Sequence, residues 1–86
     1  MPTGTELPLE GGLSIGRAPA NNLAVDDQFM SHMHARILRR GAFFYVEDLG
    51  STNGTFVNDQ RITGDAQLRV HDELRLGETE IGRAHV

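Results

Sequence analysis

The sequence predicts an all-β protein, a small sandwich of two antiparallel sheets, and three observations lead there. No window carries apolar residues at i, i+3, i+4 and i+7 over three turns, so the helical signal is missing. What recurs instead is a series of short apolar or alternating runs, each cut off by Gly, Pro, Asn or Asp. The chain has 86 residues, enough for one domain spanning residues 1–86, and many short strands at this spacing pack as a sandwich or barrel.

Taken in order, Leu13-Ser14-Ile15 alternates and stops at Gly16. Pro19 to Asn22 reads as a loop, and Leu23-Ala24-Val25 as a short strand ended by Asp26-Asp27. Ala35 to Arg39 and Phe43 to Glu47 are the strongest strands, because β-branched and aromatic residues pack well on a pleated surface. Gly41 between them marks a hairpin turn. Asp48 to Thr55 is a long polar stretch whose Asn53-Gly54 pair favours a tight two-residue turn. Thr55-Phe56-Val57, the turn Asn58-Asp59, and Gln60-Arg61-Ile62 follow. Leu68 and Val70 alternate, His71-Asp72 turns, Leu74 and Leu76 alternate before Gly77, and Thr79 to Val86 makes a closing strand.

Composition excludes several classes of function. With no cysteine, a disulfide framework, thiolate zinc sites and cysteine nucleophiles are all ruled out. No apolar run is long enough to span a bilayer, and residues 1–9 lack a basic, then apolar, secretion signal, so a cytoplasmic location is the default expectation. The net charge is −4, carried entirely by residues 44–86. A net basic footprint for nucleic acid is therefore missing, and neither nucleic acid nor membrane is expected as a partner. All eight basic residues are arginine, the planar bidentate donor that suits phosphate and carboxylate. The oligomeric state is left open.

Three segments are unusually polar: Gly16-Arg17, Ser31-His32-Met33-His34, and Leu49-Gly50-Ser51-Thr52-Asn53-Gly54-Thr55. Loops at one end of a sandwich cluster together on a rigid scaffold. If these three meet, they gather a guanidinium, hydroxyls, imidazoles, an amide and glycine-rich backbone. A site made mostly of donors recognises an acceptor-rich anion, phosphate above all. Taken singly, each piece also has an ordinary structural use: Gly16-Arg17 as a strand end, Asn53-Gly54 as a turn, His34 as a buried histidine bonded to loop backbone. His32 and His34 share a strand face and are zinc-ligand types, but no third ligand stands at a matching spacing, so no metal and no cofactor is expected. Ser51 lacks the glycines of a nucleophile elbow, since Leu49 and Asn53 take their places. No carboxylate pair is spaced for acid–base work, and an enzyme is not expected.

In this order and spacing the three segments resemble the forkhead-associated (FHA) domain, a phosphothreonine-peptide binding module with an FHA/SMAD-like sandwich. The family pattern of Gly-Arg, then Ser-x-x-His, then a Ser/Thr-x-Asn-Gly loop reads here Gly16-Arg17, Ser31-His32-Met33-His34, and Ser51-Thr52-Asn53-Gly54, continuing to Phe56-Val57-Asn58. Leu74-x-Leu76-Gly77 looks like the family's penultimate strand, and the motif-bearing region runs from about residue 9 to residue 82. The resemblance implies a partner protein or peptide phosphorylated on threonine. Arg17, Ser31 (through hydroxyl and backbone N–H), His32 and Thr52 would contact the phosphate, and Asn53 would hold the peptide backbone. Gly16, His34 and Gly54 would support the site. His32 departs from the family's usual Arg or Asn. The family's strand ahead of Glu6–Leu9 is expected to be shortened, absent or supplied by another chain. The core candidates under this reading are Leu13, Ile15, Leu23, Val25, Ile37, Phe44, Val46, Phe56, Ile62, Leu68, Val70, Leu74, Leu76 and Ile81. An oligomerisation module of the same shape, indifferent to phosphate, and a small hydrolase using zinc at His32 and His34 are the competing readings.

Overall fold

The computed structural model describes residues 6–85, and they form ten strands and no helix. In chain order these are β1 (Glu6–Pro8), β2 (Leu13–Gly16), β3 (Leu23–Ala24), β4 (Ala35–Arg40), β5 (Phe43–Asp48), β6 (Thr55–Val57), β7 (Gln60–Arg61), β8 (Asp65–Leu68), β9 (Glu73–Leu76) and β10 (Thr79–His85). They build two five-stranded sheets, ordered β1-β10-β9-β6-β7 and β3-β2-β4-β5-β8. Each sheet is antiparallel except at one edge, where β1 runs parallel to β10 and β2 parallel to β3. Those exceptions follow from chain length. β2 and β3 are joined by a six-residue loop that carries the chain back before it pairs, and β1 and β10 come from opposite ends of the sequence. The expected strand ahead of Glu6 lies outside the described residues.

The alternation read from the sequence sets which side chains turn inward. Across the second sheet Leu13, Ile37, Val46 and Ala66 stand in one hydrogen-bonded row, and Phe44 pairs with Leu68. From the facing sheet Leu7, Leu74, Leu76, Ile81 and Ala84 close the core. Each buried Leu or Ile side chain contributes about 1.5–3 kcal/mol, so this small interior depends on every one of them.

Two core assignments are corrected. Val70 is 42% exposed, because β8 ends at Leu68 and the chain turns away: Arg69 N–H donates to the Asp72 carboxylate and Asp72 N–H returns to the Arg69 carbonyl. Phe56 alternates outward between buried Thr55 and core-packed Val57, and the Arg75 guanidinium covers its ring at 4.0 Å. Leu7, Leu9, Met30, Ala35 and Ala84 are core residues outside the expected set. Met30 is the informative one. It is a loop residue buried directly before Ser31, and it anchors that loop to the interior.

Candidate functional site

Strand register brings the three polar segments to one end of the molecule. Ile15 pairs with Ala35, and Ala35 with Asp48, so Gly16-Arg17, Ser31–His34 and the loop from Leu49 leave the second sheet at the same edge. In the first sheet Thr55 pairs with Leu76, which puts Gly54 and Gly77 at that end too. There the Gly77 N–H donates to the Gly54 carbonyl at 2.8 Å.

A hydrogen-bonded base holds these loops. His34 is fully buried. Its Nδ1 accepts the Ser31 N–H at 3.2 Å, so the ring proton sits on Nε2, which donates to the Gly54 carbonyl at 2.8 Å. Asp48 organises the second loop. Its Oδ1 accepts the hydroxyls of Ser51 (2.5 Å) and Thr55 (2.7 Å), and its Oδ2 accepts the N–H groups of Gly50 and Ser51, both at 3.1 Å. Burial pushes the Asp48 carboxyl up, but the Ser51 and Thr55 hydroxyls and the Ser51 N–H outweigh it and leave the pKa below the ordinary carboxylate value. Ser51 then accepts the Gly54 N–H at 3.0 Å, which ties the loop to itself.

Gly16 is dictated by close approach. A Cβ there would lie 2.2 Å from the His32 carbonyl oxygen, the atom that accepts from Ala18 N–H and Asn21 Nδ2. Gly54 adopts φ +89°, a region that L side chains rarely enter, and the Arg61 side chain lies where its Cβ would point.

The ligand-facing candidates sit on this base. Arg17 is exposed, with its N–H donating to the Ser31 carbonyl at 3.0 Å. The Ser31 hydroxyl accepts a long bond from the Thr52 N–H at 3.4 Å, which draws the two loops together. The Ser31 N–H, however, is already engaged by His34. The hydroxyl is therefore the Ser31 group that remains able to donate. His32 and Thr52 are exposed beside these groups. Asn53 donates through Nδ2 to the Phe29 carbonyl at 2.5 Å, leaving Oδ1 to accept from a ligand N–H.

Beyond Asn53 a cleft of about 490 Å³ opens, lined by Phe29, Asn53, Phe56, Arg75, Gly77 and Glu78. Phe29 is 52% exposed although its N–H is fixed to Asp27 and its carbonyl to Asn53. Sequence reasoning passed over Phe29, Asp27 and Thr79. A phenylalanine in a polar loop two residues before Ser31 is the available signal for the first, and no local pattern marks the Asp27–Thr79 pair. Among the described residues no group of three or more His, Cys, Asp or Glu side chains is placed to hold a metal ion, and no helix is long and apolar enough to cross a membrane.

Residues 13–77 match the family model of the FHA domain. The chain is 40% identical over 80 residues to the FHA domain-containing protein FhaB of Mycobacterium tuberculosis, covering 92% of this chain and 52% of FhaB; it thus spans about half the length of that curated relative. Among solved structures, Mycobacterium tuberculosis EmbR in complex with a low affinity phosphopeptide superimposes with a TM-score of 0.80 at 29% identity, covering 88% of this chain and 21% of that one. An FHA domain from a structural and functional analysis of phosphothreonine-dependent FHA domain interactions matches with a TM-score of 0.78 at 37% identity, covering 90% of this chain and 80% of that one.

Proposed function

The chain belongs to the FHA domain family, and on that premise we propose that it recognises proteins or peptides phosphorylated on threonine and performs no chemistry itself. The observation that carries this reading is the convergence of Arg17, the Ser31 hydroxyl and Thr52 on one rigid end of the sandwich. A phosphate monoester carries about −1.5 to −2 charge at neutral pH and three strong acceptor oxygens. The guanidinium of Arg17 supplies the charge-assisted bonds, Ser31 and Thr52 supply hydroxyl donors, and His32 adds a ring N–H from the exposed rim. Asn53 Oδ1 accepts from the peptide backbone beside the phosphothreonine, and the peptide continues into the aromatic cleft of Phe29 and Phe56.

Because the ordered base is already hydrogen-bonded, little loop entropy is lost on binding. On this reading residues 1–86 act as one binding domain, located in the cytoplasm, and its partner is a protein phosphorylated by a Ser/Thr kinase. The test is a degenerate peptide library with phosphothreonine fixed at its centre, read against the same library treated with phosphatase. Selective capture of the phosphorylated pool supports the reading. Equal capture of both pools refutes it and leaves the phosphate-indifferent oligomerisation module.

A further inference from the structure

Both phosphate-facing loops are held by a turn that carries none of the candidate phosphate contacts. It joins β9 to β10, at Gly77 to Thr79. The Gly77 N–H fixes the Gly54 carbonyl directly after Thr52-Asn53. Two residues on, the Thr79 hydroxyl donates to Oδ2 of Asp27, across 52 residues of sequence and from one sheet to the loop of the other.

Asp27 is well placed to pass that restraint on. Its Oδ1 accepts the Phe29 N–H at 2.9 Å, and its carbonyl accepts the Met30 N–H at 3.0 Å. Met30 is buried in the core and Ser31 follows it directly. The Thr79 hydroxyl, followed by the Phe29 N–H, keeps the Asp27 carboxyl below its ordinary range.

We propose that Thr79 and Asp27 are positioning residues for phosphothreonine recognition, a latch from the β9–β10 turn that sets the separation of the Ser31 and Thr52 loops. This rests on the phosphothreonine reading above. The separation matters because a phosphate bridged by two loops makes all its bonds only at one spacing, and a shift near 1 Å in a built site is costly. His34 Nε2 to the Gly54 carbonyl and Asn53 Nδ2 to the Phe29 carbonyl join the loops at their base and flank, but the contact between the two phosphate-facing residues, Thr52 N–H to Ser31 Oγ, is long at 3.4 Å. That bond is weak, and the latch adds a restraint from the β9–β10 turn to the segment that leads into Ser31.

The test uses Thr79→Val, which keeps the shape and removes the donor, and Thr79→Ser, which restores the hydroxyl. Affinity is measured by calorimetry with the tightest phosphothreonine peptide from the library, and amide hydrogen exchange is followed at Phe29 and Met30 in the free protein. The expected result is a five- to tenfold loss of affinity and faster exchange at both amides in Thr79→Val. Thr79→Ser should stay within twofold of wild type on both readouts. Thr79→Val in an Asp27→Ala background should cause little further loss, because the two residues act as one unit. Wild-type affinity in Thr79→Val, or a loss that Thr79→Ser fails to rescue, overturns the proposal. Should the wild-type chain bind no phosphothreonine peptide, the phosphothreonine reading fails and the recognition role of the latch with it. Unchanged exchange in Thr79→Val shows that the latch does not hold the loop, whatever the peptide result.

Discussion

The buried imidazole of His34 donates from Nε2 to the carbonyl of Gly54, 2.8 Å away and 20 residues on in the chain. One ring thereby joins the Ser31 loop to the Thr52 loop from beneath. His34→Ala leaves a cavity and the Ser31 N–H without its partner. The expected cost is about 2–4 kcal/mol of folding stability, read as a lowered urea midpoint at unchanged slope. Phosphopeptide binding should fall with it even under conditions where the variant stays folded. A variant as stable as wild type would show that the ring does not brace the loops.

Arg17→Ala removes the guanidinium proposed to bind the phosphate. Truncating such a charged partner costs roughly 2–5 kcal/mol, a loss of about 30-fold or more. Arg39→Ala is the control. Arg39 lies on β4, packs over Phe44 at 5.8 Å, and bonds to the Gly41 carbonyl at the hairpin, away from the loop end. Calorimetry that finds the two variants binding equally well would place the phosphate elsewhere.

His32→Arg puts a planar, permanently charged donor where a histidine now stands on the rim. A guanidinium makes bidentate bonds that an imidazole cannot. The variant should bind the same phosphothreonine peptide at least as tightly as wild type. A clear loss would show that His32 does not face the phosphate.

Asp48 gives the fold an acid limit. Its carboxyl pKa is lowered on folding, with burial opposing and the bonds from Ser51 and Thr55 prevailing. A group lowered in this way stabilises the fold above its unfolded pKa of about 3.9 and loses that stabilisation as pH falls through the folded value. Stability should therefore decline below about pH 4, and Asp48→Asn should flatten that decline while lowering stability at pH 7. Urea titrations at pH 7 and pH 3 measure both. An Asp48→Asn variant with an unchanged acid slope would contradict the role given to these bonds.

Phosphothreonine should be preferred over phosphoserine in an otherwise identical peptide. The two ligands share every phosphate contact and differ by one methyl group. Burial of that group contributes about 0.8 kcal/mol, roughly fourfold. The unfilled space and the looser χ1 of phosphoserine enlarge the difference. Pockets that read one carbon reach about 1–3 kcal/mol, so at least tenfold is expected at fixed pH and salt. Equal affinities would point to a generic phosphate-binding loop cluster.

By itself the sequence determined the all-β class, nearly every strand, and the three loop segments at the site. These are local properties: a period of two, turn residues at the breaks, and donor-rich loops between them each act over a few residues. Gly41, Asn58-Asp59 and His71 adopt the positive φ of turn residues where the sequence breaks its strands. Tertiary structure decided what depends on distant partners. Phe56 and Val70 look as apolar as any core residue, yet the pairing of β6 with β9 puts one under Arg75 and the end of β8 turns the other toward solvent. The parallel edges of the two sheets, and the burial of Met30 beneath the Ser31 loop, were settled in the same way. So was the turning of the Ser31 N–H toward His34. The Asp27–Thr79 contact joins residues 52 apart, and it exists only because two sheets meet face to face and bring their loop ends within hydrogen-bonding distance.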